Sequence, residues 1–149
     1  MVLNFIVSES NPKYPGNGSK TLFDGQFGNM SYDKNYIGYD KGPVEIMFQL
    51  DPDQFITTIH ISNLTNQGAW IFGPSKISVY DENNKLLIQK SFDDSTQKKA
   101  SNHAITTFKV PKTKYNQLKL VIEPVSTIPE WHDGKGSKAW LFVDELWVK

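Results

Sequence analysis

The chain has 149 residues, enough for one domain with a real core, and its sixteen basic residues balance sixteen acidic ones. Every cation is a lysine and cysteine is absent, which excludes bidentate guanidinium grips, disulfides, thiolate catalysis, zinc-thiolate sites and iron–sulfur clusters. A chain without net charge carries no electrostatic footprint for nucleic acid or for an anionic membrane, and no apolar run reaches the length of a membrane span.

In chain order the dominant hydrophobic period is two, with no long stretch at helical spacing. Met1–Val7 reads as an edge or covering strand, and its start lacks the charged region and cleavage site of a signal peptide. Tyr14–Gly42 is rich in Gly, Asn, Asp and Tyr and shows no convincing strand. A loop that long in a compact domain needs an anchor, and Leu22-Phe23-Asp24-Gly25 is the expected place for it. Val44–Leu50 then alternates clearly, with Val44, Ile46, Phe48 and Leu50 on one face. Phe55–Ile61, Lys76–Tyr80, Lys85–Phe92, Ala104–Val110 and Gln117–Ile122 follow as strands. They are separated by the turns Asp51-Pro52-Asp53, Gly73-Pro74 and Asp81–Asn84 and by the polar run Asp93–Asn102. With the last strand, Ala139–Val148, this makes about eight short strands. The expected fold is all-β, an antiparallel sandwich or jelly roll, in a single module spanning residues 1–149.

The last strand holds an energetic conflict. Asp144 and Glu145 sit side by side in Ala139-Trp-Leu-Phe-Val-Asp-Glu-Leu-Trp-Val148, which is otherwise apolar on both faces. At period two Glu145 shares a face with Leu141, Val143 and Trp147, and Asp144 shares the other with Phe142 and Leu146. A carboxylate in such company requires pairing, hydrogen bonds or a cation, and no basic residue lies close in sequence. Just upstream, Trp131-His132-Asp133-Gly134 sets an indole, an imidazole and a carboxylate in a flexible loop.

Thr21-Leu22-Phe23-Asp24-Gly25-Gln26-Phe27-Gly28-Asn29 and Val143-Asp144-Glu145-Leu146 together resemble the paired signatures of the galactose-binding-like β-sandwiches. That group includes the coagulation-factor type C (discoidin) domains and the family 32 carbohydrate-binding modules. The stretch from Trp131-His132 to Glu145 is most similar to C-terminal domains of bacterial chitobiase or β-hexosaminidase-like proteins, especially from gut Bacteroidetes. The resemblance runs over roughly residues 14 to 148.

It implies a structural calcium ion. Asp24 and Asn29 would supply side-chain oxygens, Thr21 and Gln26 main-chain carbonyls, and Glu145 a carboxylate with the Asp144 carbonyl beside it, a hard-oxygen set that suits calcium. The plain alternative is that Asp24-Gly25 is only a turn and Glu145 pairs with a lysine.

It also implies a glycan site on the loops, although the arginine common in related sites is missing here. Trp131, His132, Asp133, Trp70, Asn66 and Tyr36 have the side chains such a rim needs: rings to stack on a pyranose and polar groups to bond its hydroxyls. Against this, Trp70 has equal claim to capping the sandwich, and the tyrosines of the long loop have a simple role in knitting it together.

An enzyme is not expected. No G-x-S-x-G occurs, the three histidines at 60, 103 and 132 lack ligand spacing, and no acid pair stands apart from the turns and the ion. The expected function is a non-catalytic carbohydrate-binding module that targets covalently attached domains, such as a glycoside hydrolase, to glycans in an exported setting. It would bind no nucleic acid and insert no segment in a membrane. The alternative is a structural or protein-interaction sandwich that has lost the sugar site.

Overall fold

The computed structural model describes residues 2–93, 98 and 101–149, so most of the polar run Asp93–Asn102 lies outside the described residues, as does Met1. Among them are nine strands: β1 (Val2–Val7), β2 (Ile37–Tyr39), β3 (Val44–Leu50), β4 (Ile56–Asn66), β5 (Lys76–Asp81), β6 (Leu86–Ser91), β7 (Ser101–Thr113), β8 (Gln117–Glu123) and β9 (Leu141–Val148). They form a five-stranded sheet, ordered β1-β3-β8-β5-β6, and a four-stranded sheet, ordered β2-β9-β4-β7. Every neighbouring pair is antiparallel. The expected all-β antiparallel sandwich is the fold.

The core is the space between the sheets, filled from alternate positions. Ile46, Phe48, Leu118, Leu120 and Val79 come from the first sheet, and Ile59, Ile61, Phe108, Val143 and Leu146 from the second. This is the packing expected when two half-apolar sheets cover one another.

Three details depart from the expected strands. The ninth strand, β2, lies inside the long loop. It has three residues, all buried, paired through Ile37 to Val143 and Tyr39 to Leu141; a strand this short leaves no alternation to read. β4 begins at Ile56 instead of Phe55, because a register shift between Ile56 and Thr58 changes which parity faces the core. Phe55 is left 52% exposed.

The third departure is a bulge. Ser62 pairs with Glu145 and Asn63 with Val143, so Asp144 is an extra residue in β9. A bulge sets two residues against one and breaks the period-two rule. The expectation that the two acids face opposite ways is therefore corrected: both turn to the same loop.

Candidate functional site

The long loop reaches β9 through a 3-10 turn at Ser19–Phe23, whose Thr21 and Leu22 are buried. Phe23 stacks on Phe5 and packs against Phe48, which seats the loop in the core. β2 pairs only with Leu141–Val143, and the chain around residues 24–28 takes over beside β9.

Asp144 is fully buried and its carboxylate accepts from three directions. The Ser62 hydroxyl donates to Oδ1 at 2.5 Å, and the Gly28 N–H donates to Oδ2 at 2.9 Å. His103 Nε2 lies 2.7 Å from Oδ2. The basic partner absent from the local sequence is thus His103, the third residue of β7. Phe27 packs edge-on against both His103 and Trp147 and lids this pair. Trp147 lies half-buried with His60 stacked on it at 4.9 Å.

Glu145 lacks such company. It is 4% exposed, and its Oε2 is buried without a hydrogen-bond partner. Burial first, and the neighbouring Asp24 carboxyl second, push its pKa up to about 8, against the pull of the Gly25 N–H. Asp24 itself accepts from the Gln26 N–H at 2.8 Å. Of the residues expected around an ion, Asp24, Gln26 and Glu145 are therefore together, with Thr21 in the adjoining turn. The Asp144 carboxylate is occupied, which leaves its carbonyl. Asn29 is engaged elsewhere: its Oδ1 accepts from Ser31 N–H at 2.7 Å and its carbonyl from the Tyr36 hydroxyl at 2.6 Å. Among the described residues no three His, Asp or Glu side chains converge. An ion here would rest on two acids and main-chain oxygens, a set that fits calcium, and the unpartnered Glu145 oxygen is the atom such an ion would satisfy.

The second candidate region is the loop end. Gln67, Trp70, Trp131, His132 and Asp133 line one open depression of about 390 Å³. Trp70 ends a 3-10 turn (Gln67–Ala69) with left-handed backbone (φ 61°), which throws its indole outward. The indole lies on Gly134, where a Cβ would come within 2.8 Å of it. Trp70 and Trp131 are 40% and 37% exposed, so neither is the buried cap that was the alternative.

His132 behaves otherwise than expected. Its Nδ1 accepts from the Gly134 N–H at 2.9 Å, so the proton sits on Nε2, which donates to the Gln67 carbonyl at 2.9 Å. Both nitrogens are used to tie the 128–137 loop to the turn after β4, and the ring positions Trp131 instead of offering bonds outward. Asn66 is likewise internal, its Oδ1 accepting from the Ala69 N–H. Tyr36 is 1% exposed, with its ring under Gly28, so it does not reach the rim.

No protein-family model and no curated protein matches the chain. Solved structures do. A family 32 carbohydrate-binding module of Clostridium perfringens, in complex with GalNAc-β-1,3-galactose, superposes with a TM-score of 0.57 at 19% identity, over 97% of this chain and 93% of that one. The module described as GH31 CBM32-2, bound to GalNAc, gives 0.61 at 17% identity, over 99% and 97%. The C-terminal domain of a chitobiase from Bacteroides fragilis gives 0.53 at 19% identity, over 100% and 91%. At these identities the likeness is one of fold: the chain has the β-sandwich of the family 32 carbohydrate-binding modules and of a chitobiase C-terminal domain, as the paired motifs implied.

Proposed function

We propose that this chain is a non-catalytic carbohydrate-binding module whose binding face is the loop end carrying Trp70 and Trp131. The observation that carries this reading is two indoles, each more than a third exposed, on one open depression. An indole face covers the C–H face of a pyranose, while the exposed Asp133 bonds its hydroxyls. The GalNAc and GalNAc-β-1,3-galactose found in the similar modules support a hexosamine or galactoside as ligand. In this role the module keeps a covalently attached partner, such as a glycoside hydrolase, near its substrate by raising effective concentration. The setting is exported, and among the described residues no helix is long and apolar enough to cross a membrane.

The test is a glycan array followed by calorimetric titration with GalNAc and galactose. Trp131→Ala should weaken binding about tenfold or more, the order of one lost aromatic contact plus its burial. An array without a single ligand would overturn the reading. It would favour the second one, a structural or protein-interaction sandwich, for which the absent arginine and the internally bonded His132 speak.

The same reading includes a structural calcium ion held by Asp24, Glu145 and the carbonyls of Thr21, Gln26 and Asp144. When bound it would supply positive charge to Glu145 and fasten the long loop to β9. Calcium at a hundredfold over its Kd should add about 2.7 kcal/mol of stability, seen as a melting temperature that falls on chelation. A melting curve indifferent to both calcium and chelator counts against the ion.

A further inference from the structure

The interior of the sandwich is not apolar throughout. Inward positions along β4 run Ile59, Ile61, Asn63, Thr65, and along β7 they run Val110, Phe108, Thr106, Ala104, Asn102. Cross-strand pairing gathers the polar ones: Ile61 lies opposite Thr106, Asn63 opposite Ala104 and Thr65 opposite Asn102. β6 and β7 are the last strands of their sheets, and between them the seam of the sandwich opens into a cavity of about 170 Å³. Asn63, Thr65, Asn102 and Thr106 line it from β4 and β7, and Lys90 and Phe92 from the β6 side. Phe92 is held there by its N–H, which donates to the Ser75 carbonyl at 2.9 Å. The cavity shares no described residue with the tryptophan depression.

Asn63, Thr65 and Thr106 are 4%, 4% and 7% exposed, yet among the described residues no hydrogen bond reaches their side-chain amide or hydroxyls. Polar groups this deeply placed require a partner. The volume far exceeds the roughly 10–15 Å³ that holds one water, so the partner can be a molecule larger than water. The wall also selects the kind of guest. Among the described residues no aspartate or glutamate lines the cavity, and its one cation, Lys90, is exposed. A charged guest would enter the seam with no buried counter-charge. Threonine hydroxyls and asparagine amides both donate and accept, which matches a guest whose own groups do the same. Phe92 and Ala104 offer an apolar patch for its C–H surface.

We propose that the seam cavity is a second binding site, for a compact neutral polyol. Asn63 and the two buried threonines bond its hydroxyls, and Phe92 covers its carbon skeleton. The site does not depend on the tryptophan depression, because the two have no residue in common.

The test follows backbone amide resonances of the Trp131→Ala chain, in which the depression is disabled, during titration with glycerol, myo-inositol and methyl β-galactoside. At least one of them should give saturable shifts centred on residues 63, 65 and 106, and the same shifts should appear in the unaltered chain. Thr106→Val removes a hydroxyl and keeps the shape, so it should weaken that binding about three- to tenfold, the worth of one neutral hydrogen bond. Asn63→Leu should abolish it and, with no ligand present, leave the chain at least as stable, since an apolar group of like shape replaces an amide that made no bond. Shifts that grow linearly with every probe and never saturate leave water as the occupant and overturn the site. Sulfate bound more tightly than all three probes would also overturn it, by making the seam an anion site built on Lys90. So would a loss of stability in both Asn63→Leu and Thr106→Val, which would show their polar groups already satisfied within the fold.

Discussion

Asp144 and Glu145 are neighbours with opposite solutions to the same problem. Asp144 has three donors and no exposure; Glu145 has a buried oxygen with none. His103→Ala takes one donor from a buried carboxylate and should cost about 1–3 kcal/mol, read as a lower urea midpoint at unchanged slope. Glu145 makes a prediction in pH. In chelator its folded-state pKa, about 8, lies above the ordinary 4.5, so the unfolded chain releases its proton first. Stability is then fully present below about 4.5 and falls as pH rises towards about 8. Glu145→Gln should abolish that fall and, with it, the response to calcium. A chelated wild type equally stable at pH 5 and pH 8 would contradict the assignment. The need for partners was legible in the sequence, since two acids in an apolar strand demand them. The identity of the partner was not. His103 is 41 residues away on β7, and β7 and β9 both flank β4 without touching in the sheet order.

At the level of elements, the regular alternation of β3 and β8 marked both strands to within a residue, because both bury one face only. Failures came where something other than alternation decides. β2 is held by tertiary pairing, and β4 continues through Asn63, Thr65 and Asn66, polar residues that read as the end of a strand. Trp70 and Trp131 could be placed on loops, but nothing in the residue types showed that His132 would use both nitrogens inward. Two glycines now carry specific weight. A Cβ on Gly28 would overlap the Tyr36 ring, so Gly28→Ala should cost about 1–3 kcal/mol and loosen the loop, seen as faster amide exchange around residues 24–36. Gly134→Ala pushes against the Trp70 indole and should weaken sugar binding with little change in melting temperature. Unaltered affinity would show that the pose of Trp70 is not needed.

Across the whole molecule, one loop touches both proposed sites. Tyr14 of that loop packs on Trp140, whose N–H donates to the Trp70 carbonyl, and further along the same loop Asp24 and Gly25 meet Glu145. If the proposed calcium ion orders that loop, calcium should therefore strengthen sugar binding. By linkage, saturating sugar must then raise calcium affinity by the same factor. Two titrations, each run with and without the other ligand, test this; unequal factors would break the thermodynamic cycle, and factors of one would show the sites to be independent.

The bulge in β9 also bears on how the strand tolerates changes in length. Deleting almost any residue of a half-buried strand turns everything beyond it inside out. Asp144 is the exception: without it, the pairs Asn63–Val143 and Ser62–Glu145 simply become consecutive, and Leu146 still faces the core. The regular sandwich can thus exist one residue shorter, with its clamp on the loop removed and its sheets intact. A chain lacking Asp144 should fold with the same strand register by amide-exchange mapping, yet with residues 24–36 unprotected. In that sense the clamp is one extra residue laid on a register whose pairs on either side of it would close without it.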